Sequence, residues 1–238
     1  MTFLSLAEHL KTNSYFGRGI VLGKSPSGKY ACLAYFIMGR SLNSRNRIFV
    51  KSNEGVSILP FDPTKVTDPS LIVYSPLIKC GNSIVLTNGN QTQTIVDAIL
   101  EKKPDAFVIA LNSRSFEPDS PNFTPRISGI VNLANGDFDY RLSILKCGDK
   151  QLQTCDRYFF DYKPVCGKGH FIHTYSGDGN PLPSFEGEPT AIQIEEDIDE
   201  FTNKIWDSLD KDNKISLLTM YVDISTKQSF ERIINKNL

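Results

Sequence analysis

No excess of either charge marks this chain: 26 lysines and arginines stand against 27 aspartates and glutamates, a formal net charge of -1. A general binder of nucleic acid carries a basic surplus, so nucleic acid is not an expected partner. Long apolar runs are also missing. The longest, such as "ACLAYFIMG", fall far short of a bilayer's thickness, and no membrane association is expected. The opening "MTFLSLAEHLKTNS" lacks a basic leader and a small-residue cleavage site, which points to the cytoplasm. Cysteine is thin and scattered, at positions 32, 80, 147, 155 and 166. With no CxxC pair, neither a zinc knuckle nor a redox dithiol is indicated, and reduced, packed thiols are expected.

Histidine is scarcer still, with three in the chain. His170 and His173 in "GHFIHTY" lie three apart, which on a strand sends them to opposite faces. No third ligand follows at a recognised spacing, so they read as packing, hydrogen-bonding or pocket-wall residues and no metal site is expected.

What the chain does have is a core. Hydrophobic residues make up 40% and aromatics 11% of its 238 residues, ample for a folded body. Phe3, Leu4, Ala7 and Leu10 share a helical face, with Thr2 as the expected N-cap. "RGIVLGKSPSGKYACLAYFIMG" reads as a hairpin, "RNRIFVKS" and "GVSILPF" as two strands about the turn "NEG", and "SLIVYSPLIKCGNSIVLTNG" as two more about Gly81-Asn82. The period then changes, and "TQTIVDAILEKK" is a helix beginning soon after Asn88-Gly89-Asn90. Strands return at "RISGIVNLAN" and "FDYRLSILKC", joined through Asn135-Gly136-Asp137, then at "RYFFDYKP" and "GHFIHTYSG". "EEDIDEFTNKIWDSLDK" is an acidic amphipathic helix, "KISLLTMYVDI" a strand, and a last helix is expected around Phe230, Ile233 and Ile234. With no repeat, low-complexity tract or linker, the expectation is one α+β domain over 1–238, two sheets flanked by helices.

Several motifs bear on chemistry. "GRGIVLGKS" falls short of a phosphate-binding loop: Arg18 occupies the place of the first required glycine, and the segment enters a hairpin instead of a helix, leaving Lys24 as a turn residue. Thr2 would become N-terminal if Met1 were removed, yet it heads a helical pattern, where capping accounts for it. No nucleophile elbow is present. "GRSLNSRNRIF" packs Arg40, Arg45 and Arg47 among small polar residues, as a pocket for a small anion would. In "TNGNQT" a strand passes through Asn88 and Gly89 into a helix; this is either a plain turn or a place where backbone N–H groups meet a ligand. "FEPDSPNFTPR" carries Glu117 and Asp119 on a loop stiffened by three prolines, with Arg126 at the following strand. Such a loop can hold a carboxylate against a substrate, or can simply be an acidic surface.

Taken together, "YFGRGIVLG", "GRSLNSRNR", "TNGNQT", "FEPDSPNFTPRISGI" and "GHFIHTYSGDGNPLPSFEGEP" make the chain resemble the archaeal-type IMP cyclohydrolase family over roughly residues 15 to 190. The remainder, from about 190 to 238, reads as an extension packed on that domain. The resemblance implies a four-layer αββα sandwich like that of the N-terminal-nucleophile hydrolases, without the terminal nucleophile. It implies closure of 5-formamidoimidazole-4-carboxamide ribotide (FAICAR) to IMP with loss of water, needing no metal and no cofactor. The partner is then a small purine nucleotide; self-association into a homo-oligomer is left open. By the same resemblance Arg40 and Arg45 would hold phosphate or base, with Arg47 in the same pocket or flanking it. Asn88 and Gly89 would contact the nucleotide, Glu117 would transfer protons, Tyr74 would polarise the formamide and Arg126 would orient Glu117 or the substrate. Arg40 counts among the catalytic as well as the binding residues. Gln91 and Gln93 stand where the family pattern has a histidine and an aspartate. Two rival readings follow: a nucleotide-binding protein without catalysis, or an amide hydrolase on the same scaffold using Thr2.

Overall fold

The computed structural model describes residues 3–66, 74–134, 136–149, 151 and 154–238. Its frame is two antiparallel sheets. The first has the order β11-β10-β1-β2-β12-β13 and the second runs β3 through β9 in sequence order. In the first are β1 (Arg18–Lys24), β2 (Tyr30–Met38), β10 (Lys168–His173), β11 (Thr190–Gln193), β12 (Lys214–Asp223) and β13 (Ser229–Asn235). The second holds β3 (Ile48–Ser52), β4 (Gly55–Leu59), β5 (Leu77–Cys80), β6 (Ser83–Thr87), β7 (Arg126–Ala134), β8 (Asp137–Asp149) and β9 (Thr154–Tyr162).

The side-chain alternation of β2 shows how the layers form. Ala31, Leu33, Tyr35 and Ile37 point into the core between the sheets, while Cys32, Ala34, Phe36 and Met38 point to the outer face. Both faces are buried, so the strand reads as an unbroken apolar run. On that outer face lie α1 (Leu6–Leu10) and α5 (Ile198–Ser208), through Leu6, Leu10, Phe201 and Ile205. The second sheet is covered in the same way by α3 (Gln91–Leu100) and α4 (Ala106–Asn112), whose Ile95, Val96, Phe107 and Leu111 pack on Val85 and Ile130. Gly129 of β7 brings the sheets together: a Cβ there would stand 2.9 Å from Leu22 of β1.

Most of the expected elements are present, with some differences. α1 is capped by Ser5, whose side chain accepts from the Glu8 amide, and Thr2 lies outside the described residues, as does Asn135 of the β7–β8 turn. A short helix, α2 (Leu42–Arg45), occupies the middle of the arginine-rich stretch, and α4 and β11 are additional. The expected last helix is β13. Phe230, Ile233 and Ile234 fit a helical spacing, but the free edge of β12 offers a full backbone ladder from Ser216↔Asn235 to Val222↔Ser229. The segment after residue 190 is woven into the first sheet, with β12 hydrogen-bonded to β2 on one side and β13 on the other. Asn235 then ties that sheet to the other, its side chain accepting from the Phe49 N–H at 2.8 Å and donating to the Phe49 carbonyl at 3.0 Å.

Candidate active site

Strand register gathers the candidate residues at one end of the sandwich. Pairing of Arg18 with Ile37 and of Gly19 with His173 sets the start of β1 beside the ends of β2 and β10. In the second sheet Thr87 pairs with Ser128, so the end of β6 meets the start of β7. The loops leaving these points enclose a cavity of about 570 Å³, a volume within the usual range for small-molecule sites. Four guanidinium groups, from Arg18, Arg40, Arg47 and Arg126, and two carboxylates, from Glu117 and Asp119, line it. The cationic surplus favours an anionic guest.

Glu117 arrives on the proline-rich loop, which is internally braced. Its N–H donates to the Thr124 carbonyl at 2.9 Å. The Asp119 carboxylate accepts from the Thr124 amide at 2.6 Å and from the Thr124 hydroxyl, which also meets the Tyr175 hydroxyl. The Glu117 side chain keeps 28% exposure and lines the cavity. Burial raises its pKa, opposed by Arg126 and Arg18, with Asp119 adding to the rise. A carboxyl placed in this way takes up a proton more readily than an exposed one.

Arg126 stands at the start of β7 with Nη1 3.9 Å from Glu117 Oε1 and 2.8 Å from Gln91 Oε1. Gly89 makes this approach feasible, since a Cβ there would collide with Arg126 Nη1 and Gln91 Oε1. Asn88 lines the cavity while its amide group continues the strand pattern, donating to the Pro125 carbonyl at 2.9 Å and accepting from the Ile127 N–H at 2.9 Å.

On the opposite side Arg18 is anchored to the Met38 carbonyl at 2.6 Å. Burial works against its charge, but Tyr35, Tyr74, Tyr15 and Tyr175 work for it, and its pKa is raised on balance. Burial and the nearby Arg18 pull the pKa of Arg47 down. Arg40 lies over the Tyr15 ring, 5.1 Å from its centroid, and is paired with Asp178 from the loop after β10. That same loop is attached to the proline-rich loop through the Leu182 N–H, which donates to Asn122 at 3.0 Å.

Of the residues singled out in the sequence, Arg40, Arg47, Tyr74, Asn88, Glu117 and Arg126 line the cavity. Arg45 is absent from its lining; the guanidinium Nε instead donates to the Gly39 carbonyl at 3.0 Å. Gly89 acts beneath Arg126. Gln91 is fully buried and holds Arg126, whereas Gln93 is exposed and bonds Asp97 at 2.8 Å. Sequence reasoning passed over Arg18, Tyr15, Tyr175 and Thr124. The arginine in "YFGRGIVLG" was the available signal, a charge at the head of an otherwise apolar strand.

The histidines are packing residues. His170 Nδ1 meets the Tyr140 hydroxyl at 2.7 Å and its ring stacks on Tyr162, and burial lowers its pKa to about 4. His173 is wedged between Phe16 and Phe185, with its pKa lowered to about 3 by burial. Among the described residues no cluster of three or more His, Cys, Asp or Glu could hold a metal ion, and no helix is long and apolar enough to cross a membrane.

Residues 15–228 match the model of the IMP cyclohydrolase-like protein family. The chain belongs to that family. The matched span extends past residue 190 and takes in all of β12. Among curated relatives, the IMP cyclohydrolase of Methanocaldococcus jannaschii is 31% identical over 186 residues, 76% of this chain and 83% of that protein. The IMP cyclohydrolase of Methanopyrus kandleri is 28% identical over 173 residues, covering 71% of this chain and 79% of the relative. The IMP cyclohydrolase of Methanococcus aeolicus is 34% identical over 120 residues, half of this chain (50%) and 58% of that relative's length.

Proposed function

We propose that the chain is an IMP cyclohydrolase, closing FAICAR to IMP with loss of water, on a sandwich of the αββα kind that N-terminal-nucleophile hydrolases share. The observation that carries this reading is the convergence of Glu117 with four arginines around one mononucleotide-sized cavity.

Ring closure joins the carboxamide nitrogen to the formyl carbon. The nitrogen is a weak nucleophile, so it must be held against the carbonyl and lose a proton as the bond forms. Glu117 is placed to accept that proton. The formyl oxygen gains negative charge in the tetrahedral intermediate, and Tyr74 with the guanidinium groups supplies donors fixed in advance. Glu117 then returns that proton to the oxyanion, making a hydroxyl, and the former formamide N–H passes its hydrogen through Glu117 to this hydroxyl, which leaves as water as the C=N bond forms. Arg40, Arg47 and Arg126 bind the anionic nucleotide in this scheme, and Arg126 also steers Glu117. Gln91 serves by fixing Arg126, and Gln93, where the family pattern has the aspartate, is bonded to Asp97.

The deciding experiment follows FAICAR conversion by ultraviolet absorbance with purified protein. Formation of IMP is expected. No conversion under conditions where a relative turns over would rule the activity out, and IMP binding without turnover would leave a nucleotide-binding protein.

A further inference from the structure

Tyr35 sits in the middle of β2, 0% exposed, in the core between the sheets. Its ring stacks on Phe49 with centroids 5.5 Å apart. Packing alone would be met by phenylalanine. The hydroxyl, however, lies 3.1 Å from the hydroxyl of Tyr74, and Tyr74 lines the cavity while Tyr35 does not.

Two phenols share this hydrogen bond, and the surroundings decide which one donates. Arg18 and Arg47, the cations whose charge reaches Tyr35, are donors with no lone pair to offer. Were Tyr74 to donate, the Tyr35 hydrogen would be left in the core, beside two cations and with no other acceptor among the described residues, and a desolvated donor without an acceptor is costly. Tyr74 has no such difficulty, because its hydrogen can point into the cavity. Burial also pushes the Tyr35 pKa well up, so its hydroxyl keeps the proton it must donate.

We infer that Tyr35 is a positioning residue for the ring closure: its hydroxyl donates to Tyr74 and keeps the Tyr74 hydrogen aimed into the cavity, toward the formyl oxygen. The inference rests on the cyclohydrolase reading of the cavity. Nothing in it requires Tyr35 to touch the nucleotide.

The test is a double-mutant cycle in steady-state kinetics. Tyr35→Phe should lower kcat about tenfold, the loss of one ordered hydrogen bond, with KM within about twofold of the parent. Tyr74→Phe should lower kcat further, and the pair together should be no worse than Tyr74→Phe alone. Losses that multiply, or an unchanged kcat in Tyr35→Phe, overturn the inference. Should Tyr35→Phe misfold, 3,5-difluorotyrosine at position 35 preserves the shape with a stronger donor. It should change kcat in the parent and leave it unchanged in the Tyr74→Phe background; an equal effect in both overturns the inference. Absence of turnover in the unmodified chain overturns the cyclohydrolase reading and this inference with it, whereas normal turnover with uncoupled variants overturns the inference alone.

Discussion

Arg126 and Glu117 face each other with their nearest charged atoms 3.9 Å apart, while the same Arg126 nitrogen is engaged by Gln91 at 2.8 Å. The carboxylate therefore feels the cation without being tied up by it. That is a useful arrangement for a group that must take a proton and return it.

Glu117→Gln should lower kcat by about 10²–10⁴-fold, the usual contribution of general acid–base catalysis, with little change in KM. Steady-state kinetics checks this. Equal losses in kcat and affinity would mark Glu117 as a binding residue.

The same carboxyl sets a pH dependence of stability. Its pKa is raised in the folded chain, chiefly by burial, so the folded state holds the proton more tightly than the unfolded one. Stability from this group is then full below the ordinary carboxylate range and falls as pH rises through the raised value. Glu117→Gln removes that loss. Its melting temperature should exceed the parent's at pH about 7.5, and the gap should close near pH ~4. Thermal unfolding at the two pH values measures it.

Gly89→Ala should fold and yet bind IMP more weakly, because the new methyl takes the space of Arg126 Nη1. A loss of about tenfold in affinity by calorimetry is expected, the scale of one displaced charge-assisted hydrogen bond. Unchanged affinity would show that Arg126 can move aside without consequence.

Arg45 and Arg47 separate cleanly in space, since only Arg47 lines the cavity. Arg45→Ala should keep KM within about twofold, while Arg47→Ala should raise it at least about tenfold, as loss of a charged contact does. Kinetics on the two variants, with circular dichroism to verify folding, decides the matter.

Asn235→Ala deletes two hydrogen bonds to the backbone of Phe49. Unfolding in urea should show about 1–3 kcal/mol lost, the cost of leaving buried partners unmet. Activity per folded molecule should be retained.

Where local pattern and tertiary context agree, the sequence was a good guide. The hairpin of β1 and β2 and the helix after Asn88-Gly89-Asn90 are examples, as turn chemistry and periodicity specify both. β13 misled because Phe230, Ile233 and Ile234 satisfy a helical spacing, and only the open edge of β12, a long-range partner, makes them a strand. Glu117, Arg40 and Arg126 were visible as charges in unusual company. Arg18 was hidden, since its direction depends on register with β2 and β10. Asp178, the partner of Arg40, lies too far along the chain for spacing to suggest it. Arg45 and Arg47 could not be told apart, because α2 and its exit fix which of them turns inward.

The placement of β12 also has a bearing on how the molecule is made. Its neighbour β2 ends at Met38, whereas β12 is complete only at Asp223. A growing polypeptide must therefore carry the bare flank of β2, apolar on both faces, through most of its synthesis, and that flank is where a stalled or clipped product would begin to aggregate.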